Sequence, residues 1–327
     1  MGFFITDGFN MSTLSIELVN ILNSLITNQE CEEMRVKLDT IDSFYVYCQK
    51  NNLVKETNLK EIELRKLEPF PKFVLSEKLR NKNETGFKIN FLNFNEETTS
   101  KMIKTSKDHK IRMTSFFYTI GLYALKELYD QNEIEFPKDI LIDIAVSLRI
   151  RYKPILDFCH IRSHVSLITF QIEDDQFGDF RDFWRDAQIL DELIKQKSDI
   201  DNGILFSMTH DFQALNEIDK IFNSNKSRDE LFDEMSKNHN CDLAFSNLGS
   251  YVNDIVKEEE EGPFVIKEMY CSDSIQTKAS IGIIQHIIFW KGEMMIQFGA
   301  SKSKISSVNM NKYIKNFENI IKDLINE

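Results

Sequence analysis

Three short stretches carry residue types that could do chemistry: Asp7-Gly8, Val146-Ser147-Leu148-Arg149 and Phe245-Ser246-Asn247-Leu248-Gly249. An Asp-Gly pair between an apolar run and a helix is a turn that can also aim a carboxylate. Arg149 closes a run of apolar β-branched residues, and a guanidinium buried there needs a carboxylate, because an unpaired interior charge costs several kcal/mol. Asp7 is the expected partner. Ser246 and Asn247, followed by Gly249, put small polar groups at the end of another strand-like run.

Other chemistries find less support. The single His-x-x-x-His spacing, His160 and His164, falls across a strand entrance rather than on a helix and does not face one metal there, so no metal site is expected. His160 and His164 remain candidate bases beside the Arg149 strand. His286 alternates with Ile284 and Ile288 and reads as a structural residue of an apolar strand. Eleven glycines never fall into a phosphate-cradling or dinucleotide spacing, and no Gly-x-Ser-x-Gly elbow offers a nucleophile.

Composition narrows the setting. With 327 residues, 42% of them apolar, the chain can fill a substantial core. A formal net charge of −12 argues against sequence-independent nucleic-acid binding, which needs a basic face. The five cysteines (Cys31, Cys48, Cys159, Cys241, Cys271) make no paired motif and read as reduced cytoplasmic thiols. No apolar run reaches membrane-spanning length, and no signal-peptide pattern opens the chain. Met1-Gly2-Phe3-Phe4-Ile5-Thr6 fits the short N-myristoylation pattern, which chance also satisfies readily. Glu258 to Glu261 reads as a solvated loop.

The elements that must position these groups follow from periodicity. Leu14, Leu18, Leu22 and Ile26 predict a core-facing helix over 12–26. The pattern weakens from 28 to 87, which is the only domain boundary on offer. Strands are expected at 87–94, 140–150, 164–173, 241–248 and 264–270, and a hairpin at 281–290 and 293–300 turns on Lys291-Gly292. Helices are expected at 95–109, from 114 onward, 180–194, 210–237 and 308–325. Strands and helices mix without strict alternation, so the fold class is α+β.

On these residues the chain resembles the chloramphenicol-acetyltransferase-like superfamily, most closely its condensation-domain and alcohol-acetyltransferase branch. Ile5-Thr6-Asp7-Gly8 looks like the second half of that family's His-His-x-x-x-Asp-Gly motif, and Val146-Ser147-Leu148-Arg149 looks like its Asn-Leu-Arg strand, whose Arg pairs with the motif Asp. Ser246-Asn247-Leu248-Gly249 matches its Ser-Asn-Leu-Gly strand end, and the helix containing Phe183-Trp184 and the closing hairpin and helix fall in the family's order.

The resemblance implies two lobes around a tunnel, in which an acyl group passes from a CoA or phosphopantetheine thioester to an alcohol or amine. The thioester is a co-substrate, and no bound cofactor is implied. The second motif His is the family's general base. Here the two histidine positions hold Gly2 and Phe3, neither of which can take a proton, so no catalytic residue is assigned and the chain is expected to be inactive or incomplete. Asp7, Gly8 and Arg149 are then motif residues with a structural role, and Ser246, Asn247 and Gly249 line the tunnel. The expected layout is an N-terminally truncated protein: a remnant of the first lobe over 1–87, and a complete second lobe over 88–327. Exposed first-lobe edges would invite self-association or a protein partner. The alternative is a non-catalytic scaffold that binds a small molecule or a protein.

Overall fold

The computed structural model describes residues 8–27, 44–52, 75–81, 83–155, 165–173, 180–199, 227, 230, 240–249, 263–270 and 280–326. Six helices and six strands occur among them: α1 (Gly8–Thr27), α2 (Phe44–Lys50), β1 (Phe87–Phe94), α3 (Glu96–Asp108), α4 (Met113–Gln131), β2 (Asp139–Ser147), β3 (Val165–Glu173), α5 (Phe183–Lys197), β4 (Asn240–Asn247), β5 (Ser280–Trp290), β6 (Glu293–Ser301) and α6 (Ser307–Asn326).

Local chemistry sets the helix ends. Asn95 caps α3 by accepting from the Thr98 N–H at 2.9 Å, and Asp182 caps α5 through the Arg185 N–H at 3.1 Å. Arg112, the cap residue of α4, makes no side-chain capping bond. Asp191 of α5 serves instead: its Oδ1 accepts from the Arg112 N–H at 3.2 Å, Arg112 Nε at 2.9 Å and Ser115 Oγ at 2.6 Å. A carboxylate at that end also suits the helix dipole.

The strands form one mixed sheet in the order β1-β6-β5-β4-β2-β3. β1 with β6, β6 with β5, and β2 with β3 are antiparallel, whereas β4 runs parallel to both β2 and β5. At the β5–β6 hairpin Lys291 (φ 48°) and Gly292 (φ 83°) are both left-handed, as a twist-matching two-residue turn requires. This is the α+β architecture expected from the sequence.

One face of the sheet carries the main core. Ile142, Ile144, Leu243, Phe245, Ile283, Ile287, Ile296 and Phe298 share it with Phe116, Phe117 and Leu125 of α4 and Tyr313, Phe317 and Ile321 of α6. Alternation sends the intervening residues to the opposite face. There Ile288, Trp290 and Met295 meet Leu248 and Ile16 of α1.

Helix α1 departs from expectation. Leu14, Leu18, Leu22 and Ile26, predicted to face the core, are 40%, 57%, 38% and 54% exposed, while Ile16 and Asn23 are buried. Positions 16 and 23 are two turns apart and lie nearly opposite the leucine row. A period of 3.6 marks an apolar stripe without naming the surface it meets. The strand expected at 264–270 is also absent, and the segment has no regular structure. Its backbone is tied by side chains: the Asn23 amide donates to Phe264 O and accepts from Phe264 N, both at 2.8 Å, and Trp290 Nε1 donates to Ile266 O at 3.2 Å.

Candidate functional site

The parallel pairing of β2 with β4 brings two of the three sequence stretches together. Ile144 pairs with Phe245, so Ser147 and Asn247 end neighbouring strands pointing the same way. Ligands in sheets with parallel strands bind outside these carboxyl ends. After β2 the chain turns through a 3-10 helix, Arg149–Arg151, rather than extending the strand to 150. Arg149 is fully buried. Asp7, its expected partner, lies outside the described residues, as do Gly2, Phe3, His160 and His164; of Gly8 only the helical backbone is described.

Ser246 and Asn247, expected to line one passage, are successive strand residues and point to opposite faces. Asn247 faces α4, where its Nδ2 donates to Thr114 Oγ1 at 3.2 Å. Its Oδ1 accepts from the Gly249 N–H at 2.8 Å, closing a turn in which Gly249 adopts φ +63°. Asn247 thus ties the strand end to the helix through Nδ2 and closes the turn after it through Oδ1. Ser246 is half-buried on the other face.

There it begins a polar row across the sheet. Ser246 pairs with His286, His286 with Gln297, and Gln297 with Phe91, so the four side chains stand side by side on β4, β5, β6 and β1. His286 is buried. Gln297 is 0% exposed, and among the described residues neither its amide oxygen nor its amide nitrogen has a hydrogen-bond partner. A glycine makes room for it: a Cβ at Gly299 would lie 2.8 Å from Gln297 Nε2. Ile16 of α1 and the 264–270 segment border the row, the latter through Tyr270, whose ring meets Phe91 edge-on at 4.9 Å.

Gln297 was not among the sequence candidates. Its one signal is a carboxamide at alternate spacing from Met295 and Gly299 inside an apolar strand, which a solvent-facing position would also produce.

A second buried polar group lies on β2 and β4. Asp143 accepts from Thr169 Oγ1 at 2.6 Å, and Asp242 Oδ2 accepts from the Leu141 N–H at 2.8 Å. Burial pushes the Asp242 carboxyl well above the usual carboxylate range, the Leu141 N–H opposes the shift, and Asp143 adds to it. The thiols of the region offer no nucleophile near neutral pH. Burial and then Asp143 raise Cys241 far above its ordinary value, and burial raises Cys48 to about 11. Among the described residues no group of His, Cys, Asp or Glu is arranged to hold a metal, and no helix is long and apolar enough to cross a membrane.

No protein-family model and no curated protein sequence matches the chain. Solved structures do. The epimerization domain from the third module of tyrocidine synthetase B superposes with TM-score 0.59 and 11% identity, covering 99% of this chain and 67% of its own. PapA2 acyl transferase gives 0.56, 11%, 99% and 64%, and the first condensation domain of the CDA synthetase gives 0.54, 9%, 99% and 62%. The chain therefore spans about two thirds of the length of these proteins. The chain has the fold seen in these epimerization, acyltransferase and condensation domains.

Proposed function

We propose that this protein holds an acyl thioester of CoA or phosphopantetheine beside an alcohol or amine acceptor, and transfers the acyl group slowly. The observation that carries this reading is the placement of residues 147–149 and Ser246-Asn247-Leu248-Gly249 at neighbouring parallel strand ends within an acyltransferase fold. Arg149 and Asn247 act as positioning residues. Arg149, fully buried, opens the turn after β2, and Asn247 fixes the end of β4 to α4. Ser246, half-buried on the opposite face, is assigned to meet the two substrates.

Phe3 stands where the family places its base, and a phenyl ring accepts no proton. The acceptor must then lose its proton to solvent as its oxygen or nitrogen attacks the thioester carbonyl and the C–S bond breaks. A positioned base is worth about 10²- to 10⁴-fold, whereas positioning of two substrates is retained without it. The reduced, unpaired thiols of Cys48 and Cys241 support a cytoplasmic setting. The 1–87 and 88–327 division is the corresponding domain proposal.

A second reading, a non-catalytic scaffold, draws on the exposed apolar row of α1. Thiol release from acetyl-CoA across a panel of short alcohols and amines separates the two. We expect measurable binding of acetyl-CoA by equilibrium dialysis, slow release, and a gain of about 10²-fold or more in Phe3→His. Binding with no gain in Phe3→His favours the scaffold, and absence of thioester binding removes the acyl-transfer reading.

A further inference from the structure

We propose that Gln297 is a recognition residue for a secondary amide carried by a bound chain molecule, reached along the polar row of the sheet face. The inference rests on the acyl-transfer reading for the identity of that molecule, and on the geometry of Gln297 for its chemistry. A buried carboxamide with both polar atoms unbonded has given up two or more hydrogen bonds to water and regained none. An apolar side chain of the same size would fill β6 without that penalty.

The carboxamide offers one acceptor, Oε1, and two donors on Nε2, so it can accept from the N–H of a trans secondary amide or donate to its C=O, one bond to each such amide. Gly299 leaves the space into which its Nε2 projects. The row is closed tightly at neither end: Ser246 is half-buried, and Phe91, directly opposite Gln297 on the edge strand β1, is 42% exposed.

Two molecules of the proposed reaction carry such a group: the pantetheine arm of the donor, and an aminoacyl or peptidyl acceptor. The probes are S-acetylpantetheine and an N-acetylated dipeptide amide, each compared with an analogue whose amide N–H is replaced by an ester oxygen. For the source that uses the site, wild type is expected to bind the amide about tenfold more tightly than the ester, the worth of one hydrogen bond in a buried setting. Gln297→Met is expected to bind amide and ester alike and to melt at the same temperature as wild type or higher. If Gln297 were only a core residue satisfied by water, Gln297→Met would lower stability and leave the wild-type amide preference intact.

An amide preference that survives in Gln297→Met overturns the assignment, and so does equal binding of amide and ester by wild type, which needs no variant to fold. Failure of the acyl-transfer reading shows separately, as absence of thiol release in the presence of a preserved amide preference.

Discussion

Replacing Asp242 by Asn should make the stability of this protein less sensitive to alkali. Asp242 is 1% exposed; Leu141 N–H donates to its Oδ2 at 2.8 Å, and its Oδ1 has no partner among the described residues. Burial raises the folded carboxyl's pKa well above its ordinary value. Below about pH 3.9 the carboxyl is protonated in both folded and unfolded chains. As pH rises past that value the unfolded chain releases the proton and the folded chain keeps it, so unfolding becomes easier by about 1.4 kcal/mol per pH unit until the folded group also ionises. The contribution is thus fully present below the unfolded pKa and lost as pH climbs toward the folded one.

Asp242→Asn removes this slope while keeping the acceptor for Leu141. Its amide nitrogen replaces the unbonded Oδ1, at a pH-independent cost of about 1–3 kcal/mol if no acceptor is found. The difference between variant and wild type should therefore move in the variant's favour with pH, whatever its value at any single pH. Urea unfolding followed by tryptophan fluorescence from pH 5 to 8 reads this directly. Asp186 and Glu127, also raised mainly by burial, are present in both proteins and cancel. Tyr118 and Cys241 stay protonated over the range. Parallel curves for the two proteins would refute the reasoning.

Gly121→Ala should lower the melting temperature, because the added Cβ would lie 2.9 Å from Gln285 Nε2 and 3.1 Å from Tyr313 Oη, a buried pair bonded at 2.6 Å. Overpacking of this kind costs about 1–3 kcal/mol, and calorimetry would detect it. Leu25→Lys on α1, at a site 68% exposed, should change the unfolding free energy by less than about 0.5 kcal/mol. A loss of about 2 kcal/mol or more in urea titration would show that the apolar row is covered in solution.

Much of the secondary structure was legible in the residues. The Lys291-Gly292 hairpin, the strand at 87–94 and the final helix follow from side-chain period and turn chemistry, both of which act within a few residues. Boundaries slipped where local rules compete: α1 begins at Gly8 rather than near 12, and Arg149 turns out of β2 instead of extending it. The segment 264–270 alternates like a strand, yet its backbone is held by Asn23 and Trp290 side chains from far along the chain.

The sequence by itself determined the α+β class, the order of most elements, and the small polar residues at two strand ends, because periodicity and residue chemistry are local properties. Only the tertiary structure decided that β4 lies between β2 and β5, that Asn247 turns toward Thr114 while Ser246 faces the other way, and that the leucines of α1 stand outside the core. It also placed Gln297 between His286 and Phe91, with no partner for its amide among the described residues. Period two tells which residues share a face of a strand. Which strand lies alongside, and what then covers that face, depends on contacts between residues two hundred or more positions apart, as when β1 pairs with β6.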